Sequence, residues 1–136
     1  MDLKASCDAI EECYEFMLAY AAQGIVEDAG SQSASQLRTL LHRAEGAIAG
    51  LAHECRLIVE RDGLTPADRY AAFIDVIDRD AHATLAALRL VSAQPSLSSQ
   101  MIDNLNASIH VRALLTDLFL IDEILKKAPA GPLSVE

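Results

Sequence analysis

Apolar residues recur along this chain at intervals of three and four, without strand-like alternation, and that spacing predicts four helices. In residues 3–23, Leu3, Cys7, Ile10, Tyr14, Met17 and Ala21 form one stripe, widened by Cys13, Phe16 and Tyr20. Asp8, Glu11, Glu12 and Glu15 fall on the opposite side, which reads as a solvated face. A second helix over 34–61 turns Leu37, Leu40, Leu41, Ala44, Ile48, Leu51, Cys55, Ile58 and Val59 inward. A third, from Pro66 to about Ser92, buries Tyr70, Phe73, Ile74, Ile77, Ala81, Thr84, Leu85, Leu88 and Val91, with Asp80 at the edge of the stripe. The fourth, over 97–127, is apolar on two sides. One face holds Ile102, Leu105, Ile109, Ala113, Leu120 and Ile124; the other holds Val111, Leu114, Leu115, Leu118, Ile121 and Leu125.

The segments between these stripes carry helix punctuation. Gly24 suits a C-terminal cap, and Ser33 with Gln36 reads as a capping box opening the second helix. Gly63 follows the second helix, Thr65-Pro66 opens the third, and Gln94-Pro95-Ser96 separates the third from the fourth. Four amphipathic helices with short connections predict an all-α, antiparallel up-down four-helix bundle over residues 1–128, followed by a frayed tail, 129–136. At ~1.5 Å per residue the first helix is ~31 Å long and the fourth ~45 Å, so one end lacks a helical cover. The 24–33 loop, splayed helices or a second copy must close it, and the expectation is a homodimer.

The composition supports helices: 51% hydrophobic but only 4% aromatic, with no Trp. No apolar run approaches the ~20 residues of a membrane-spanning helix, and the first residues lack the pattern of a signal peptide. A net charge of −9 without a basic stripe argues against nucleic acid. Cys7, Cys13 and Cys55 show no ligand or redox spacing and read as reduced thiols in a cytoplasmic protein.

The search for chemistry returns little. Glu-x-x-His, which a di-iron bundle needs, is absent, as are phosphate-binding and nucleophile-elbow motifs, so no catalytic residue, cofactor or metal is expected. Between the two apolar faces of the fourth helix runs a stripe of Asp103, Asn106, His110 and Asp117, expected to be partly buried. It reads as a structural polar layer, with a ligand or metal site near His110 and Asp117 as the alternative. On the second helix, Thr39, His42, Gly46, Ala49, Gly50 and His53 make a strip of small residues flanked by histidines. Gly46 and Gly50 are spaced for close backbone approach, and with His53 and Leu118 they form the expected helix-packing or dimer face.

The run LAHECRL around His53 resembles histidine-containing phosphotransfer domains, four-helix bundles with an exposed His, a basic residue three later and Gly four later. Here Arg56 stands at plus three, but Leu57 replaces the Gly. The resemblance implies that His53 is a phosphoacceptor in a signalling bundle. The main expectation remains a non-catalytic interaction or regulatory module that dimerises, with another protein as a further partner and with neither nucleic acid nor membrane as partner.

Overall fold

The computed structural model describes residues 2–128, which form six helices and no strand. These are α1 (Leu3–Ala21), α2 (Gln32–Ala49), α3 (Leu51–Asp62), α4 (Ala67–Ser92), α5 (Ser99–Ala107) and α6 (Ile109–Lys127). The expected tail, 129–136, lies outside the described residues. The N-termini begin as capping chemistry requires: Asp2 Oδ1 accepts from the Ala5 N–H at 2.8 Å, and Ser98 Oγ accepts from Met101 N–H at 3.1 Å. The cap of α2 is Ser31, whose Oγ accepts from Ala34 N–H at 3.1 Å, rather than the expected Ser33.

The stretches read as single second and fourth helices are each interrupted once. At Gly50, φ −97° and ψ 0° leave the helical well, although Glu54 N–H still donates to Gly50 O at 3.0 Å, so α3 resumes at once. Ser108 is a sharper break. Its ψ of 132° is extended, and its Oγ accepts from His110 N–H at 3.2 Å, so the residue ends α5 and caps α6. Because this break resets the helical phase, residues that share a face on a continuous helix do not share one here. Ile102 and Leu105 of α5 are buried, whereas Ile109, Leu120 and Ile124 of α6 are exposed.

α1 lies against α2 and α5, and α4 lies against α2, α3 and α6. The core between them includes Met17 and Tyr20 from α1, Leu37 and Leu41 from α2, Ile74 and Ile77 from α4, Ile102 from α5, and Leu114 and Leu118 from α6. Each large aliphatic side chain buried this fully contributes about 1.5–3 kcal/mol relative to exposure.

The end of the molecule beyond α1 is closed by the 22–31 loop. Ile25 N–H donates to Ser99 Oγ at 2.8 Å, and Ser99 N–H donates to Ile25 O at 2.8 Å. Ser99 Oγ in turn donates to Tyr20 O at 2.7 Å. The Tyr20 hydroxyl donates to Leu97 O at 2.6 Å, and Leu97 N–H donates to the buried Asp28 Oδ2 at 2.8 Å. Arg38 gathers the end of α4: its guanidinium donates to Ser92 O at 3.1 Å and Gln94 O at 2.8 Å, with Asp28 Oδ2 at 3.6 Å. Guanidinium suits a helix C-terminus because the last carbonyls lack intrahelical donors. The Leu97 N–H above all, then the Gly30 N–H and Arg38, hold the Asp28 carboxyl below the usual carboxylate range. The loop therefore closes this end with its own polar groups, and the short first helix gives no reason for a second copy.

Candidate functional site

Two places on α6 combine features that secondary structure alone does not explain: the seam it forms with α4, and the face it turns away from the core. The seam has a polar content unusual for a helix contact. Thr84 Oγ1 of α4 donates to the backbone carbonyl of His110 at 2.9 Å. Further along, Asp117 of α6 meets Asp80 of α4. Asp117 is 9% exposed, and no donor among the described residues reaches its Oδ2. Burial first, and the Asp80 carboxyl second, push Asp117 up to about 7.

The expected stripe of Asp103, Asn106, His110 and Asp117 is therefore only half buried. Asn106 and Asp117 are inside, while Asp103 and His110 are exposed, so α5 and α6 each turn one member of the stripe inward and one outward. His110 enters the seam through its backbone and not its ring. Both side-chain polar atoms of Asn106 are buried, and nothing among the described residues pairs with them. Asp80 was missed as a partner of Asp117 because only the register between α4 and α6 brings them together; its one sequence signal was an acid at the edge of an apolar stripe.

The outward face of α6 is apolar. Of the eight large hydrophobic side chains exposed among the described residues, Ile109, Phe119, Leu120 and Ile124 lie on this one helix. The other four are scattered over α1, the 22–31 loop, α3 and α4, as single exposed apolar residues are in most proteins. Ile109, Ala113, Thr116, Leu120 and Ile124 follow at steps of four and three and form one line, ~22 Å long at 1.5 Å per residue. Leu118, expected on a helix-packing or dimer face, packs in the core at 1% exposure and so lies off the outward face.

The strip on α2 and α3 behaves differently from its sequence reading. A Cβ added at Gly46 would meet nothing within 4 Å, and one at Gly50 would meet only the Glu54 carboxylate at 3.8 Å, so among the described residues no backbone of another element lies close to either. Gly46→Ala is expected to stabilise the protein by about 0.5–1 kcal/mol in urea unfolding, the ordinary gain for a helix interior. A loss of stability instead would show that a second copy's backbone uses the gap. His53 is exposed, but Arg56 is engaged with Asp75 at 3.2 Å, and Leu57 is half exposed where the phosphotransfer pattern requires Gly. His53, Gly46 and Gly50 thus lie near one another in sequence, with no contact that joins them into a site.

A cavity of about 680 Å³ lies between the start of α1, the end of α3 and the end of α6. Leu3, Cys7, Ile58, Leu118 and Leu125 line its apolar side. Its rim charges are largely paired within the chain, Lys4 with Asp8 at 3.0 Å and Lys126 with Asp122 at 3.2 Å. Burial pushes the Cys7 thiol up to about 12, so it stays protonated and is a poor nucleophile at neutral pH. Cys13 and Cys55 are likewise raised by burial, to about 12 and about 11. Among the described residues no group of three or more His, Cys, Asp or Glu converges as a metal site, and no helix is long and apolar enough to cross a membrane. No protein-family model matches this chain, and neither the curated proteins nor the solved structures contain a match.

Proposed function

We propose that the chain is a non-catalytic interaction module, a four-helix bundle that works as a homodimer joined through the outer face of α6. In this reading α2 with α3, and α5 with α6, each act as one interrupted rod beside α1 and α4. The observation that carries it is the line Ile109, Ala113, Leu120 and Ile124, flanked by Phe119, on a protein whose core is already complete without it. Apolar surface gathered on one helix, in place of single exposed residues, is the mark of a contact.

A second copy is the occupant because the ends of the line are complementary. Arg112 stands beside its beginning and makes no ion pair among the described residues. Glu123 stands beside its end, held only by an exposed pairing with Lys127 at 2.9 Å. Antiparallel packing of two α6 helices brings Arg112 towards the second copy's Glu123 at both ends, while the apolar centres face each other. The unpaired, protonated thiols fit a cytoplasmic setting. Light scattering at micromolar concentration is expected to give twice the 14.6 kDa mass of one chain. A stable monomer would remove this reading.

A further inference from the structure

The seam between α4 and α6 contains a carboxyl group whose surroundings suit only one protonation state. Asp117 is nine-tenths buried, its Oδ2 is shielded from solvent, and no N–H or O–H among the described residues donates to it. The group that stands against it is another carboxyl, that of the half-buried Asp80. With both groups ionised, two anions face each other without a donor. With one proton between them, the protonated carboxyl donates to the other and both conditions are relieved.

We propose that Asp80 and Asp117 hold one proton between them, and that this shared proton fastens α4 to α6. The Thr84 hydroxyl, bonded to His110 O at 2.9 Å, joins the same two helices one turn along α4 from Asp80 and two turns along α6 from Asp117. Of the charged groups on the elements packed against α6, Asp80 alone acts on Asp117. Arg79 and His82 on α4, Asp103 on α5, and Arg112 on α6 itself do not reach it. His82 is turned towards Asp78, with Nδ1 2.8 Å from Asp78 O.

The direction of the pH effect follows from burial and the like charge. Both raise Asp117 to about 7, above its value in the unfolded chain, so the folded protein binds the proton more tightly. The stabilisation is complete below about pH 4, is lost as pH rises through neutrality, and does not change further above that range. This is the reverse of ordinary acid denaturation. Deprotonation releases one proton to solvent and leaves two anions under the helix whose outer face forms the proposed dimer contact, so association should weaken as well. That last consequence rests on the dimer reading; the titration does not.

The test is carbon-13 NMR of the side-chain carboxyls in the natural chain across the pH range. The Asp117 carboxyl is expected to respond with a midpoint near pH 7, whereas a midpoint below about 5 would overturn the proposal. Urea unfolding of the natural chain and of Asp117→Asn supplies the second readout. The natural chain should lose stability between about pH 5.5 and 7, and the variant should not, because its amide donates to Asp80 at every pH. Equal slopes in both proteins would overturn the proposal, and Asp80→Asn serves as the alternative if Asp117→Asn does not fold.

Discussion

Leu118→Asp is expected to unfold the chain and not merely to change its association. Leu118 is 1% exposed and packs in the core with its α6 neighbours Leu114 and Ile121. An aspartate there forfeits about 2 kcal/mol of apolar burial. It also places a carboxyl among the buried Leu114 and Ile121, at a cost of several kcal/mol whether it is buried ionised or protonated. Against a total stability of about 5–15 kcal/mol for a domain of this kind, the sum leaves little or nothing. Circular dichroism should show a greatly reduced helical signal, or a melting temperature lowered by tens of degrees. Retention of a natural melting curve would show that Leu118 does not lie in the core. Two residues further on, Leu120→Asp should leave that curve nearly intact, because Leu120 is half exposed.

The second large effect is expected at Tyr20, which joins the core to the loop that closes one end. Its ring is fully buried, and its hydroxyl donates to Leu97 O at 2.6 Å. Tyr20→Ala removes the ring from a packed interior and should cost about 3–5 kcal/mol in urea unfolding. Tyr20→Phe keeps the ring but leaves a buried carbonyl without its donor, at about 1–3 kcal/mol. Amide exchange at Leu97 and Ile25 should accelerate in both variants, because the same cluster anchors the loop. If Phe is tolerated within a few tenths of a kcal/mol, the bond does not hold the loop. Asp28, in the same cluster, has a pH signature opposite to that of Asp117. Its carboxyl is held below the usual range by Leu97 N–H, so its contribution is present above that range and is lost as pH falls through the lowered value.

Helical spacing was enough to find the core. Ile10, Met17, Leu37, Leu41, Ile48, Ile74, Ile77 and Leu88 are buried as their periodicity predicts. The boundaries of α1 and α4 moved by only one or two residues at most positions. What periodicity could not reveal was a break inside an apolar pattern. Ser108 is one polar residue in a long greasy stretch, and the count of residues per turn is unaffected by it. Its extended ψ nonetheless turns Ile102 and Leu105 inward and Ile109, Leu120 and Ile124 outward. The fourth segment, read as covered on both sides, thus has one covered face and one free face.

The remaining features depend on contacts between residues far apart in sequence. The pairing of Asp80 with Asp117 spans two helices, and only the register of their packing shows that two acids meet. The loop clamp is similar: Ser99, Leu97, Asp28 and Arg38 are unremarkable where they stand in the chain and become a network only when α5 returns to the end of α1. The break at Ser108 also moves the evidence for dimerisation. The short first helix no longer supports it, since the loop closes that end, whereas the outer face of α6 does.

The most direct test of the central claim compares the natural chain with Leu120→Asp/Ile124→Asp by sedimentation equilibrium, alongside circular dichroism. A dimer is expected for the natural chain and a monomer of unchanged helicity for the variant, because both substitutions lie on the exposed line and outside the core. A variant that keeps the dimer mass, or a natural chain that sediments as a 14.6 kDa monomer at micromolar concentration, would contradict it.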